Sequence, residues 1–141
     1  MGQQQLLLIV LGVIIVGIAI AVGINMFVSN AANANRDAVI SDLNNLAAQA
    51  QQYWRKPTEM GGGNQSFNGL KYNARDTANA NGHYYWGTSP SGTNELTTAV
   101  SGVTTTLYLI GVGKEKGHDN TNPVKVVAIV TSETLRDSVA N

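Results

Sequence analysis

Residues 6–24, LLLIVLGVIIVGIAIAVGI, contain only Leu, Ile, Val, Ala and Gly. As an α-helix this run is about 28 Å long, close to the roughly 30 Å hydrocarbon core of a bilayer. Asn25 interrupts it, and Met26, Phe27 and Val28 extend it. A chain of 141 residues builds too small a domain to bury a helix that is apolar all round. The run must therefore find apolar surroundings outside its own fold. Three fates compete: a cleaved secretory signal, a single-pass membrane anchor, or a helix that begins in the membrane and later packs against copies of itself. Ala32-Asn33-Ala34 offers an A-x-A cleavage site, but MGQQQ lacks Lys and Arg, and the run exceeds the about 7–15 residues of a signal core.

The following stretch continues the helix. In NRDAVISDLNNLAAQAQQYWRKP, Val39, Ile40, Leu43, Leu46, Ala47, Ala50, Tyr53 and Trp54 fall in one stripe at about 100° per residue. Ser41, Asp42, Asn44, Asn45, Gln49, Gln51, Gln52 and Arg55 fall on the other side. No Pro or Gly lies between Gly23 and Lys56. Pro57 disfavours helical geometry at Lys56, and Arg55 and Lys56 complement the dipole of a last turn. The pattern predicts one helix over about residues 3–56. Its first half (1–28) is apolar all round, and its second half (29–56) is amphipathic and needs a partner.

Charge is sparse and late. The chain carries nine basic and nine acidic side chains, and the first of them is Arg36. A net charge of zero gives no electrostatic case for a nucleic-acid partner. The absence of cysteine removes disulfides, thiolate metal sites and cysteine nucleophiles together.

Residues 57–82, which include GGGNQSFNGL, read as a loop region. Residues 83–141 read as a β-sheet region with an aromatic strand at HYYWGTS (83–89). Two β-branched strands follow at VTTTLYLIGV (103–112) and VKVVAIVTS (124–132). NELTTAVSG (94–102) is a short helix or turn, GKEKGHDNTNP (113–123) a hairpin loop, and ETLRDSVAN (133–141) is ambiguous. Both strong strands carry apolar residues on both faces, so one face can cover the helix stripe. The other needs cover from residues 57–82 or from a neighbouring subunit. The expected fold is α+β, with a long N-terminal helix packed against an antiparallel sheet of three to four strands.

This arrangement resembles type IV pilins and pilin-like subunits, most closely over residues 1–57. MGQQQLLLIVLGVIIVGIAIA lies without gaps on that family's mature N-terminus, with Gln5-Leu6 at its glutamate-leucine pair. Two details depart from the pattern. The uncharged Gln5 stands where most pilins carry a glutamate, and Val22-Gly23 occupy the region of a family proline. Met1 is expected to be the mature start, the alternative being Gly2 as the end of a short leader.

The resemblance implies a structural subunit, the major one, of an extracellular type IV pilus-like helical filament. A minor pilin, a secretion pseudopilin or a single-pass surface protein is the alternative, since tip subunits of related secretion machines also lack the glutamate. Assembly would run through Gln5, Leu6, Leu7, Ile9, Val10, Val13, Ile14, Gly17, Ile20 and Phe27. Val39, Leu43, Leu46, Ala50, Tyr53 and Trp54 would hold the helix on the sheet. The implied partners are copies of the chain, a pilus assembly machinery, a prepilin peptidase, and the inner membrane before assembly. Neither enzymatic activity nor a cofactor is implied.

Other candidate sites are sparse. Asp119, Asn120 and Asn122 form the one oxygen-rich cluster comparable to the calcium loop of some pseudopilins, although a calcium loop normally has several carboxylates. A plain Asn/Asp turn is the competing reading. Asn64-Gln65-Ser66 has the form of a glycosylation sequon. His83 and His118 are the only histidines and read as solvated strand and loop residues.

Overall fold

The computed structural model describes residues 2–140 and divides into two compact units that meet at Ala31 and Ala32. Helix α1, Gly2–Arg55, contributes to both. The first unit is helix throughout. In the second, residues 32–55 of α1 are followed by a 3-10 turn (Thr58–Met60), the one-turn helix α2 (Ala74–Thr77) and five strands. These are β1 (Gly82–Gly87), β2 (Asn94–Glu95), β3 (Thr106–Lys116), β4 (Pro123–Thr131) and β5 (Leu135–Val139). They form one antiparallel sheet in the order β2-β1-β3-β4-β5.

The α+β layout is as expected, but the strand count of three to four is corrected to five. The two additional strands were hard to read for physical reasons. β2 pairs over only two residues, Glu95 with Tyr85 and Asn94 with Trp86. β5 is exposed throughout and gains its order by pairing with β4 rather than from a buried face. β3 is also displaced relative to the expected 103–112. It starts at Thr106 and runs on through Gly113, Lys114, Glu115 and Lys116, with a register shift between Val112 and Lys116. Lys and Glu are poor strand formers alone; here Lys116 pairs with Pro123, while the Lys114 amide donates to the Asn81 carbonyl at 3.2 Å and the Glu115 amide to Asn35 Oδ1 at 3.4 Å.

The helix stripe meets one face of the sheet. Val39, Leu43, Leu46, Ala47 and Ala50 are buried with Leu107, Leu109, Val126, Ala128 and Val130. The stripe extends two turns further back than the pattern indicates, to the buried Ala32. Two glycines on β3 set the close approach. A Cβ at Gly111 would meet Val39 Cγ1, and would lie 3.2 Å from Leu43 Cδ1. A Cβ at Gly113 would collide with Oδ1 of Asn35. That Asn35 side chain donates to the carbonyl of Asn81 at 2.8 Å and accepts from the Glu115 amide at 3.4 Å. A polar helix residue is thereby tied to the neighbouring strand ends, where its amide is satisfied.

The end of α1 is capped by the glycine-rich segment. Gly63 N–H donates to the Tyr53 carbonyl and Gln65 N–H to the Trp54 carbonyl, each at 2.8 Å. These are two of the acceptors a helix C-terminus leaves without intrahelical donors. A Cβ at Gly62 would collide with the Lys56 carbonyl, and one at Gly63 with the Ser66 carbonyl. Residues 61–65 thus serve as a tight cap, with Asn64 and Gln65 both at positive φ.

Adding a methyl at Gly111 should wedge the helix off the sheet. Gly111→Ala is expected to destabilise the folded second unit by about 1–3 kcal/mol through overpacking. Thermal melting of the full chain in detergent, followed by near-UV circular dichroism, checks this.

Candidate assembly surface

Gln5, Leu6, Leu7, Ile9, Val10, Val13, Ile14, Gly17, Ile20 and Phe27 all lie on α1 within the first unit, and all are exposed. The large apolar side chains there range from 40% exposed at Val28 to 75% at Phe27. Successive residues of an α-helix point about 100° apart. An uninterrupted apolar run therefore presents apolar surface in every direction, and no single flat face can cover it. Its surroundings must be apolar on all sides, as a bilayer or a sheath of similar helices is. By length and composition α1 can cross a membrane. An added Cβ at Gly12, Gly17 or Gly23 meets nothing within 4 Å. These glycines therefore meet no packing demand within the chain, although each costs a helix about 1 kcal/mol relative to Ala.

The helix–sheet residues form one cluster in the second unit. Val39, Leu43, Leu46 and Ala50 are buried, while Tyr53 and Trp54 are partly buried against the same core. Both aromatic side chains also donate hydrogen bonds. Tyr53 Oη–H reaches the Asn68 carbonyl at 3.0 Å, and Trp54 Nε1–H the Thr104 carbonyl at 3.3 Å. Gln51 Nε2 donates to the Thr131 carbonyl at 3.1 Å. The last turns of α1 are thus held to residues flanking β3 and at the end of β4.

Sequence reasoning missed a polar hub on the same helix. Asp42, assigned to the solvent side, accepts three hydrogen bonds at one carboxylate oxygen. They come from Tyr84 Oη–H at 2.6 Å, Asn79 Nδ2 at 2.8 Å and Asn81 Nδ2 at 2.8 Å. Burial acts to raise the pKa of this carboxyl. The hydrogen bonds from Asn81, Tyr84 and Asn79 outweigh it and hold the carboxyl below its ordinary value. Burial, followed by the hydrogen bond to Asp42 and its negative charge, pushes the Tyr84 hydroxyl well above its usual range. The donors lie 37 to 42 residues downstream, so no local pattern signals them. Tyr72, also from the supposed loop region, is buried and donates to the Leu46 carbonyl at 2.9 Å.

The remaining candidates lie apart from both clusters. Asp119 caps its own turn: one carboxylate oxygen accepts from the amides of Thr121 (3.1 Å) and Asn122 (3.0 Å), and the other from Asn122 Nδ2 (2.7 Å). Asn120 is at positive φ in the same turn. Asn64 is exposed, and its amide donates to the Lys56 carbonyl at 3.0 Å in the helix cap. His83 pairs with Val112 at the start of β1, and His118 lies in the exposed turn after β3. Among the described residues, no group of three or more His, Cys, Asp or Glu side chains could hold a metal ion.

Comparison of the chain with protein-family models, with characterised proteins and with solved structures found no match.

The Asp42 hub makes stability depend on pH. A carboxyl whose folded pKa lies below its unfolded value adds stability above the unfolded value and loses it as pH falls through the folded one. Asp42→Ala leaves Tyr84 and two amides without their acceptor. It is expected to cost about 1–3 kcal/mol near neutral pH and to flatten the acid limb of the stability curve. Denaturant unfolding of both chains between neutral and acid pH checks both effects.

Proposed function

We propose that this chain is a structural subunit, the major one, of an extracellular type IV pilus-like helical filament. It resides in the inner membrane through the apolar half of α1 before assembly. The observation that supports this most directly is one continuous helix, apolar and exposed on all sides over residues 6–24 and buried under a sheet along one stripe further on. A bilayer satisfies the first half, since every backbone polar group is paired within the helix. A filament core satisfies it equally if copies of the helix pack together. Gly12, Gly17 and Gly23, with Ala19 and Ala21, let helix backbones approach closely. The sheet unit then decorates the outside. On this reading, the chain's role is mechanical, its principal partners are copies of itself, and an assembly machinery and prepilin peptidase serve it.

Lipid and packed helices are similar solvents for Leu, Ile and Val. Moving the helix from one to the other releases little hydrophobic free energy, so extraction from the membrane needs external work. The uncharged Gln5 supports a second reading, a minor or tip subunit, because it lacks the carboxylate most related subunits use in docking.

Filaments sheared from cells that make the protein test both readings. Imaging is expected to trace this chain as the repeating subunit, with α1 helices packed against one another in the core. A chain present in only a few copies per filament makes it a minor subunit, and α1 retained solely in membrane fractions overturns the filament reading. Gly17→Leu has room within the single chain and is expected to leave the melting of the second unit unchanged. It should sharply lower filament yield, because the larger side chain blocks close helix approach.

A further inference from the structure

The face of the sheet turned away from α1 carries a groove of ≈ 510 Å³. Tyr85 of β1, Ile110 and Val112 of β3, Pro123 and Lys125 of β4, and Asn122 are among the residues that line it. The strand register places these side chains together: Tyr85 is opposite Ile110, and Val112 is opposite Lys125. Ile110 is 1% exposed although it stands outside the helix–sheet core. The groove is thus a mainly apolar concavity whose lining also includes a cation and a carboxamide.

Elsewhere on the second unit Leu135 and Val139 of β5 are exposed at 37% and 48%, and the most exposed large apolar side chain lies outside the sheet. Met60, at the end of the 3-10 turn that follows α1, is 66% exposed. Its neighbour Glu59 is also exposed. Met60 does not line the groove, so the two are separate places on one subunit. An unbranched thioether suits an irregular apolar hollow, and an acidic neighbour suits the lysine that lines it.

Resting on the filament reading above, we infer that Met60 of one copy seats in the β1–β3–β4 groove of the next copy, with Glu59 paired to Lys125. A protrusion and a hollow at different places on the same subunit make a heterologous contact. Repetition of that contact gives an open helical array rather than a closed dimer. The contact is small and would be weak between free subunits. In a filament whose core already holds the copies together, it forms at high effective concentration. It fixes rotation and rise, which an apolar core of interchangeable Leu, Ile and Val side chains specifies poorly.

The chain contains no cysteine, so a disulfide can report the contact directly. Met60→Cys combined with Val112→Cys, expressed in the full chain and oxidised in assembled filaments, is expected to give a covalent ladder of dimers, trimers and longer species. Each single variant should run as monomer. Filaments of the double variant that yield no ladder overturn this contact and leave the filament reading standing. A product that stops at dimer overturns its head-to-tail character. Failure of the parent chain to form filaments overturns both proposals together. Charge reversal supplies a second readout. Glu59→Lys and Lys125→Glu should each lower the temperature at which filaments dissociate, and the two together should restore it. Equal losses that simply add in the double variant place Glu59 against something other than Lys125.

Discussion

The apolar half of α1 is exposed along its length, and its need for apolar surroundings is the constraint on which the rest of the helix turns. A surface helix of a soluble domain carries a polar face that faces water. Residues 6–24 have none, and the first charge comes only at Arg36. A helix of this kind is stable where its surroundings are uniformly apolar, and its internal hydrogen bonds leave it nothing further to satisfy. The sequence then has to convert, within one uninterrupted helix, from an element made for lipid or other helices to one made for a sheet. The change falls where Asn25, Ser29, Asn30 and Asn33 enter and where Ala32 becomes the first buried residue.

Once α1 is amphipathic, its union with the sheet depends on close approach rather than on bulk. Small residues on both partners make the contact: Ala47 and Ala50 on the helix, Gly111 and Gly113 on β3, and Ala128 on β4. Close approach raises contact density, and dispersion falls steeply with even small gaps. It also brings polar helix residues within reach of the sheet. Asn35 and Asp42 flank Val39 along α1, and both bind the segment around β1, one through the Asn81 carbonyl and the other through Asn79, Asn81 and Tyr84. The apolar stripe gives the second unit its stability, and these polar ties fix how the strand ends meet the helix.

The helix was legible because periodicity over many residues is a strong signal. Pro57 ended it within two residues of the observed Arg55. The central strands were legible because Leu107, Leu109, Val124, Val126 and Val130 combine β propensity with burial. What was not legible owes its order to partners outside its own stretch of sequence. LRDSV is too polar to announce a strand and is held by β4. GGGNQ reads as loop, yet it returns to cap the Tyr53 and Trp54 carbonyls. Asp42 reads as a solvated helix residue, yet its partners arrive from the Asn-rich segment before β1. β5 takes its order from the strand before it in a hairpin, the cap from the helix end it follows, and Asp42 from donors 37 to 42 residues downstream; none of these is visible in the stretch's own composition. The apolar run itself was legible as a surface without an occupant, since the pattern states what the helix needs and not which neighbour supplies it.

The proposed filament therefore divides its energetics in two. The core supplies cohesion, because outside the membrane its apolar side chains are kept from water only by one another, but it discriminates poorly among registers that differ by a turn of helix. Leu, Ile and Val fill one another's hollows about equally well. The type IV pilins that the N-terminus resembles carry a glutamate at the corresponding place; Gln5 can offer hydrogen bonds and no charge. Register must then be set where side chains are distinguishable, and that is on the sheet unit. One protruding methionine beside a carboxylate and one apolar hollow beside a lysine are few and specific enough to select a single arrangement. An uncharged Gln5 and a specific contact at the sheet surface are, on this reasoning, two consequences of the same division of labour.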